Sequence, residues 1–180
     1  LVAEQVESIG GEFISLETSH ETETAGGYAA EMSDDFYRNE QVIIGEHIVD
    51  CDVVITTAQI FGKRAPLLIT EEMVKTMRHG SVIVDLAAEQ GGNCELSIAG
   101  KTVERFGVKI LAPTDLPSSL SYHSSEMYSR NVTALLSEMI TDGALHLDMD
   151  DEVITNTMLT HEGKIMNQHV IDLLEREKEA

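Results

Sequence analysis

Three short apolar runs punctuate the first two thirds of the chain: Asp52-Val-Val-Ile-Thr-Thr57, Ser81-Val-Ile-Val-Asp-Leu-Ala87 and Val108-Lys-Ile-Leu-Ala112. Each is nearly continuous and rich in β-branched or aliphatic side chains, as strands covered on both faces are. Glu12-Phe-Ile-Ser-Leu16 alternates more and reads as an outer strand of the same sheet. Helical spacing falls between the runs. Apolar residues at 2, 3, 6 and 9 predict a helix from Val2 to Ile9, ended by Gly10-Gly11. Met32–Val49 has helical spacing, with Ser33 as cap and Asp34-Asp35 in the first turn. Thr70 caps a helix carrying Met73, Val74 and Met77, with Glu71 and Glu72 at its start and Gly80 at its end. Ser124–Ile140 reads as a longer helix with Met127, Tyr128, Val132, Leu135, Leu136 and Met139 on one side.

Strands alternating with helices predict parallel β-α units in an α/β sheet. After about residue 141 the pattern changes. Glu152–Leu159 and Lys164–Met166 flank His161-Glu162-Gly163 as the arms of a hairpin, and a short amphipathic helix with Val170, Ile171, Leu173 and Leu174 follows. The expected division is therefore residues 1–140, a Rossmann-like region, and residues 141–180, an extension of hairpin and helix. Glu17–Gly27 is polar, ends in Gly-Gly, and reads as a surface loop.

Composition narrows the function classes. The chain has 180 residues, 42% of them hydrophobic but only 4% aromatic and none Trp, so the core is aliphatic. No stretch of about 18 apolar residues is present to span a membrane. Cys51 and Cys94 form no C-x-x-C pair, which suits a reducing cytoplasm, with Cys51 expected as a small buried residue. The 32 acidic residues outnumber 12 basic ones, a formal charge of −20. That balance argues against nucleic acid and against anionic membrane surfaces. It fits a solvated acidic surface, or a face that docks a basic partner.

In open α/β sheets ligands bind beyond the carboxyl ends of the strands. Those ends are Thr56-Thr57-Ala58, Ala87-Ala-Glu89-Gln-Gly91-Gly92-Asn93 and Ala112-Pro-Thr-Asp115. Small residues there let a flat ligand approach the backbone, and Gly91-Gly92 permits a turn that larger side chains block. A plain strand-to-loop turn accounts for Gly-Gly-Asn equally well. Gly26-Gly27-Tyr28 has the makings of a hinged flap that lays a ring over a ligand, or of a helix start with an exposed Tyr. Other chemistries fare poorly. His161-Glu162 does not continue to H-E-x-x-H, because Ile occupies position 165, and Asp148–Glu152 lacks the glycine of a calcium loop. Ser118-Ser119 and Ser124-Ser125 lack a nucleophile-elbow setting. No G-x-G-x-x-G occurs, so phosphate binding by such a turn is not assigned to these residues.

Taken together, several segments resemble one family. Glu4–Gly10, Ala25-Gly-Gly-Tyr-Ala29 with Glu31-Met32, Thr56-Thr-Ala58, Gly62-Lys63 with Ala65-Pro66, and Leu68–Val74 are similar to the alpha subunit of the proton-translocating NAD(P) transhydrogenases, of the alanine dehydrogenase/transhydrogenase family. So are Gly80–Ala88, Gly91-Gly-Asn-Cys-Glu95, Thr114–Ser118 and Ser124-Ser125. The resemblance implies an incomplete Rossmann-like sheet, whose first β-α-β unit with the Gly-rich motif lies upstream, and weak or no NADH binding by these 180 residues alone. It implies NAD(H) as cofactor, with NADP(H) on a partner domain. Hydride would pass directly between the two nucleotides, coupled to proton movement by membrane domains. Partners would be those NADP-binding and membrane domains and a second alpha subunit in a homodimer, and the location cytoplasmic, peripheral to the inner membrane. Tyr28 would close over the nucleotide. Thr57, Ala58 and the turn through Asp85, Leu86, Ala87, Glu89, Gly91, Gly92 and Asn93 would line the cleft, Asp85 in a structural part. The family leads one to expect Pro where Phe61 and Arg64 stand and Arg where Ser119 stands. The alternatives are an NAD-dependent alanine dehydrogenase, which shares the Gly-Gly and Ala-Pro signals, and a non-catalytic interaction module derived from the fold.

Overall fold

The computed structural model describes residues 2–15, 33–60 and 62–179. By contact the chain forms two compact units, Leu1–Leu116 and Pro117–Ala180.

The first unit is built on a four-stranded sheet. Its strands are β1 (Val53–Thr56), β2 (Val82–Asp85), β3 (Lys101–Arg105) and β4 (Val108–Ala112), in the order β1-β2-β4-β3. β1, β2 and β4 run parallel, in the register Val53↔Val82 and Val82↔Lys109. β3 returns antiparallel on β4 through the two-residue turn Phe106-Gly107. Both turn residues have positive φ, 53° and 78°, the geometry that matches the twist of a tight hairpin. An antiparallel edge strand on a parallel sheet is common, so the α/β class holds with this addition.

The α-helices described in this unit are α1 (Val2–Ser8), α2 (Asp34–Ile48) and α3 (Glu71–Thr76). Ser33 caps α2 by accepting from the amide of Phe36, and Thr70 caps α3 by accepting from that of Met73. Strand alternation puts Val54, Ile83 and Ile110 on one face of the sheet. There they pack with Ile44 and Ile48 of α2, with Met73 and Val74 of α3, and with Met77, Ile69, Val108 and Cys94. Burying each large aliphatic side chain contributes about 1.5–3 kcal/mol. The opposite face carries Val53 and Ile55, which are 58% and 63% exposed on edge strand β1. Cys51, expected as a buried residue, is half-buried just before β1, where its thiol donates to the His47 carbonyl (3.4 Å). The run predicted as a strand at 12–16 forms no ladder over residues 12–15. Phe13 and Ile14 are exposed there, so the segment buries no apolar face that would fix it as a strand.

The second unit contains α5 (Ser121–Met139), which starts three residues earlier than the apolar spacing predicted, after the short turn α4 (Leu116–Ser119). Two small hairpins follow, β5 (Ile140–Thr141) with β6 (Ala144–Leu145) and β7 (Thr160–His161) with β8 (Lys164–Ile165). Their turns, Asp142-Gly143 and Glu162-Gly163, repeat the paired positive φ of Phe106-Gly107. Most of Glu152–Leu159, expected as a hairpin arm, is helix α6 (Glu152–Thr157). The Asp151 carboxylate accepts from the amides of Val153 and Ile154, and this cap overrides the β-branched content of the segment. Ile154 is buried, and α7 (Gln168–Glu179) ends the chain. Among the described residues no helix is long and apolar enough to cross a membrane.

Candidate functional site

The parallel register sets Thr56 beside Asp85 at the carboxyl ends of β1 and β2, on the helix-covered face. Asp85 is 0% exposed, with no basic side chain against it among the described residues. Five donors satisfy it. Thr56 Oγ1 (3.3 Å) and the Ala87 amide (3.1 Å) donate to Oδ1. The amides of Asn93 (2.9 Å) and Cys94 (3.1 Å) and Ser97 Oγ (2.6 Å) donate to Oδ2. A buried carboxylate persists only when such donors replace water. Asp85 thus gathers the chain from 86 to 97 into one compact loop.

Gly92 makes this packing possible. Its φ is +79°, and a Cβ there would stand 2.8 Å from Asp85 Oδ2. A side chain would meet both backbone strain and the carboxylate.

Asn93, also 0% exposed, ties this loop to the one after β1. Its Nδ2 donates to the carbonyls of Ala58 (2.9 Å) and Pro66 (2.8 Å). Its own carbonyl accepts from the amides of Leu68 and Ile69 at 2.8 and 2.9 Å. Two carbonyl acceptors fix which way the amide faces, and Oδ1 is buried with no hydrogen-bond partner among the described residues. Glu95 completes the seam by accepting from the Glu71 amide at the start of α3 (2.7 Å). Cys94 is buried beneath, and that burial, reinforced by the nearby Asp85 charge, pushes its thiol pKa up.

The residues picked out from sequence therefore separate into two sets. Asp85, Ala87, Gly92 and Asn93 are buried and form the scaffold. Thr57, Glu89 and Gly91 are exposed, and Ala58 and Leu86 are half-buried, so these form the loop surface. Tyr28 and the flap around it lie outside the described residues. Two side chains not picked out for this site, Gln59 and Arg64, stand at the same strand ends beside Gln90 of the predicted turn. Gln59 Nε2 donates to the Leu86 carbonyl (3.1 Å), Gln90 Nε2 donates to Gln59 Oε1 (3.4 Å), and Arg64 rests on Gly91. Their spacing follows no motif; only the departure from Pro at position 64 marked that arginine. Among the described residues no cluster of three or more His, Cys, Asp and Glu side chains is placed to hold a metal.

Residues 2–168 match the family model described as alanine dehydrogenase/PNT, C-terminal domain. The chain belongs to this family. Within the alanine dehydrogenase/PNT family it is 44% identical, over 169 residues, to NAD(P) transhydrogenase subunit alpha of Cereibacter sphaeroides, a match covering 91% of this chain and 32% of that protein. The structure of a transhydrogenase from Sinorhizobium meliloti superposes with a TM-score of 0.68 at 38% identity, covering 90% of this chain and 42% of that one. Similarity to alanine dehydrogenase 1 of Staphylococcus aureus is lower, 30% over 129 residues, or 69% of this chain and 35% of that protein. The chain spans less than half the length of each of these relatives.

Proposed function

We propose that this chain belongs to the NAD(H)-binding region of an NAD(P) transhydrogenase. In this reading residues 1–140 are the C-terminal portion of the nucleotide-binding domain and 141–180 its extension. The observation that carries it is the pair of loops at the carboxyl ends of β1 and β2, locked together by Asp85 and Asn93, in a chain 44% identical to a transhydrogenase alpha subunit. The donor set fits a nicotinamide nucleotide. Asp85 is buried and consumed by protein donors, so what the loops expose to a ligand is backbone with the side chains of Thr57, Gln59, Arg64, Glu89 and Gln90.

Bound NADH would supply the hydride, and NADP(+) on a partner domain would take it. The chain's own work is placement. Thr57, Ala58, Leu86, Glu89 and Gly91 would touch the nucleotide, with Tyr28 closing over it. Asp85, Ala87, Gly92 and Asn93 are positioning residues that hold the two loops at fixed separation, which is catalysis by proximity. Coupling to proton movement would come through membrane domains, and a second alpha subunit would complete a homodimer at the inner membrane's cytoplasmic side.

The greater identity to transhydrogenase than to alanine dehydrogenase, 44% against 30%, favours this reading over the amino-acid dehydrogenase. Titrating the intact gene product with NADH tests it. Saturable NADH binding, with no NADH oxidation on adding pyruvate and ammonia, supports the proposal. Turnover with pyruvate and ammonia overturns it.

A further inference from the structure

We propose that Arg64 is an anion-binding residue of this same site, taking the pyrophosphate of the dinucleotide; the assignment rests on the nicotinamide-nucleotide reading above. Three observations carry it. The side chain is laid down in a definite place: the missing Cβ of Gly91 would sit 2.8 Å from both Cγ and Nε of Arg64, so the glycine makes the berth the arginine occupies. The backbone beneath is fixed as well, because the Ala65 amide donates to the Gln90 carbonyl at 2.7 Å and joins the arginine's loop to the turn after β2. The head group is exposed, yet among the described residues it has no ion-pair partner, in a chain with 32 acidic and 12 basic residues. Arg38, Lys75, Arg78 and Arg130 each contact a carboxylate; Lys101, Arg105, Lys109 and Lys164 share with Arg64 the lack of one among the described residues, but none of them rests on the Gly91 turn.

A guanidinium held at the strand ends with its donors free is built for an oxyanion, which it takes in a two-pronged geometry. The anionic portion of NADH is its pyrophosphate, so that is the group such a cation recognises.

The test uses the intact gene product as wild type, Arg64→Gln and Arg64→Lys, each checked by circular dichroism for an unchanged melting curve. NADH and reduced nicotinamide riboside, which lacks phosphate, are titrated calorimetrically at several salt concentrations. The expected result is roughly tenfold weaker NADH binding by Arg64→Gln with a flatter salt dependence. Arg64→Lys should lie between, and riboside binding should not change. Equal weakening of both ligands would make Arg64 a packing residue and overturn the assignment, as would unchanged NADH binding. A wild-type protein that binds neither ligand overturns the nicotinamide reading itself, and the assignment with it.

Discussion

Replacing Asp85 with Ala removes the acceptor that gathers residues 86–97. Three backbone amides, of Ala87, Asn93 and Cys94, and the hydroxyls of Thr56 and Ser97 would lose their partner inside the protein. A buried donor left unmet costs about 1–3 kcal/mol. The hydroxyls can rotate toward other acceptors, so the three amides set the scale. Partial relaxation and water entry reduce their sum, and a loss of about 4 kcal/mol is expected, among the larger single-residue effects. Asp85→Asn preserves the shape and one oxygen. Its best orientation keeps the acceptor for Asn93, Cys94 and Ser97 and turns an NH2 group toward the Ala87 amide, for a smaller loss of about 2 kcal/mol. Urea unfolding followed by far-UV circular dichroism measures both, since the chain has no Trp to report. Hydrogen exchange localises the damage: the Ala87, Asn93 and Cys94 amides should exchange faster in Asp85→Ala, and the Ala87 amide in Asp85→Asn. Asp85→Ala within about 1 kcal/mol of wild type, with those amides still protected, would refute the reasoning.

Other consequences follow from single contacts. Gly92→Ala should destabilise by about 2–4 kcal/mol, because positive φ and a 2.8 Å approach to Asp85 act together; equilibrium unfolding checks it. Partial burial raises the pKa of Glu40 above its ordinary 4.5, so the folded protein holds that proton more tightly than the unfolded chain. The penalty of the ionised form is therefore present above the folded pKa and fades as pH falls through it. Glu40→Gln should raise the melting temperature at neutral pH, and the gain should vanish in acid. Burial and the Asp85 charge hold Cys94 as a thiol, so iodoacetamide should label it only as the protein unfolds; fast labelling of the native protein would contradict its placement.

The three parallel strands were legible because near-continuous β-branched runs have few other places to go, and β4 matches its run residue for residue. Ser33 and Thr70 were legible as caps because the hydroxyl chemistry is local. β3 was not read, although Lys101-Thr-Val-Glu-Arg105 alternates around Val103, since charged ends disguise an edge strand. The Asp142-Gly143 hairpin carried the strongest short turn signal in the chain and was passed over for want of long apolar arms; β5 and β6 have two residues each. The segment at 12–16 shows the opposite error, a fair strand pattern that is not a strand over residues 12–15. At the candidate site, sequence found the right loops but not the division of labour within them. Which of Asp85, Gly91, Gly92 and Asn93 faces inward depends on contacts with Ser97, Ala58 and Pro66, fixed only once β1 and β2 lie side by side.

If these loops present NADH to a second nucleotide, hydride must pass directly from one nicotinamide to the other. Deuterium is followed from NADH carrying it at both C4 positions of the nicotinamide, using the intact gene product together with its NADP-binding partner domain. The account predicts label in NADPH, with none in solvent. NADPH formed without label, or label in alanine when pyruvate and ammonia are supplied, would contradict it.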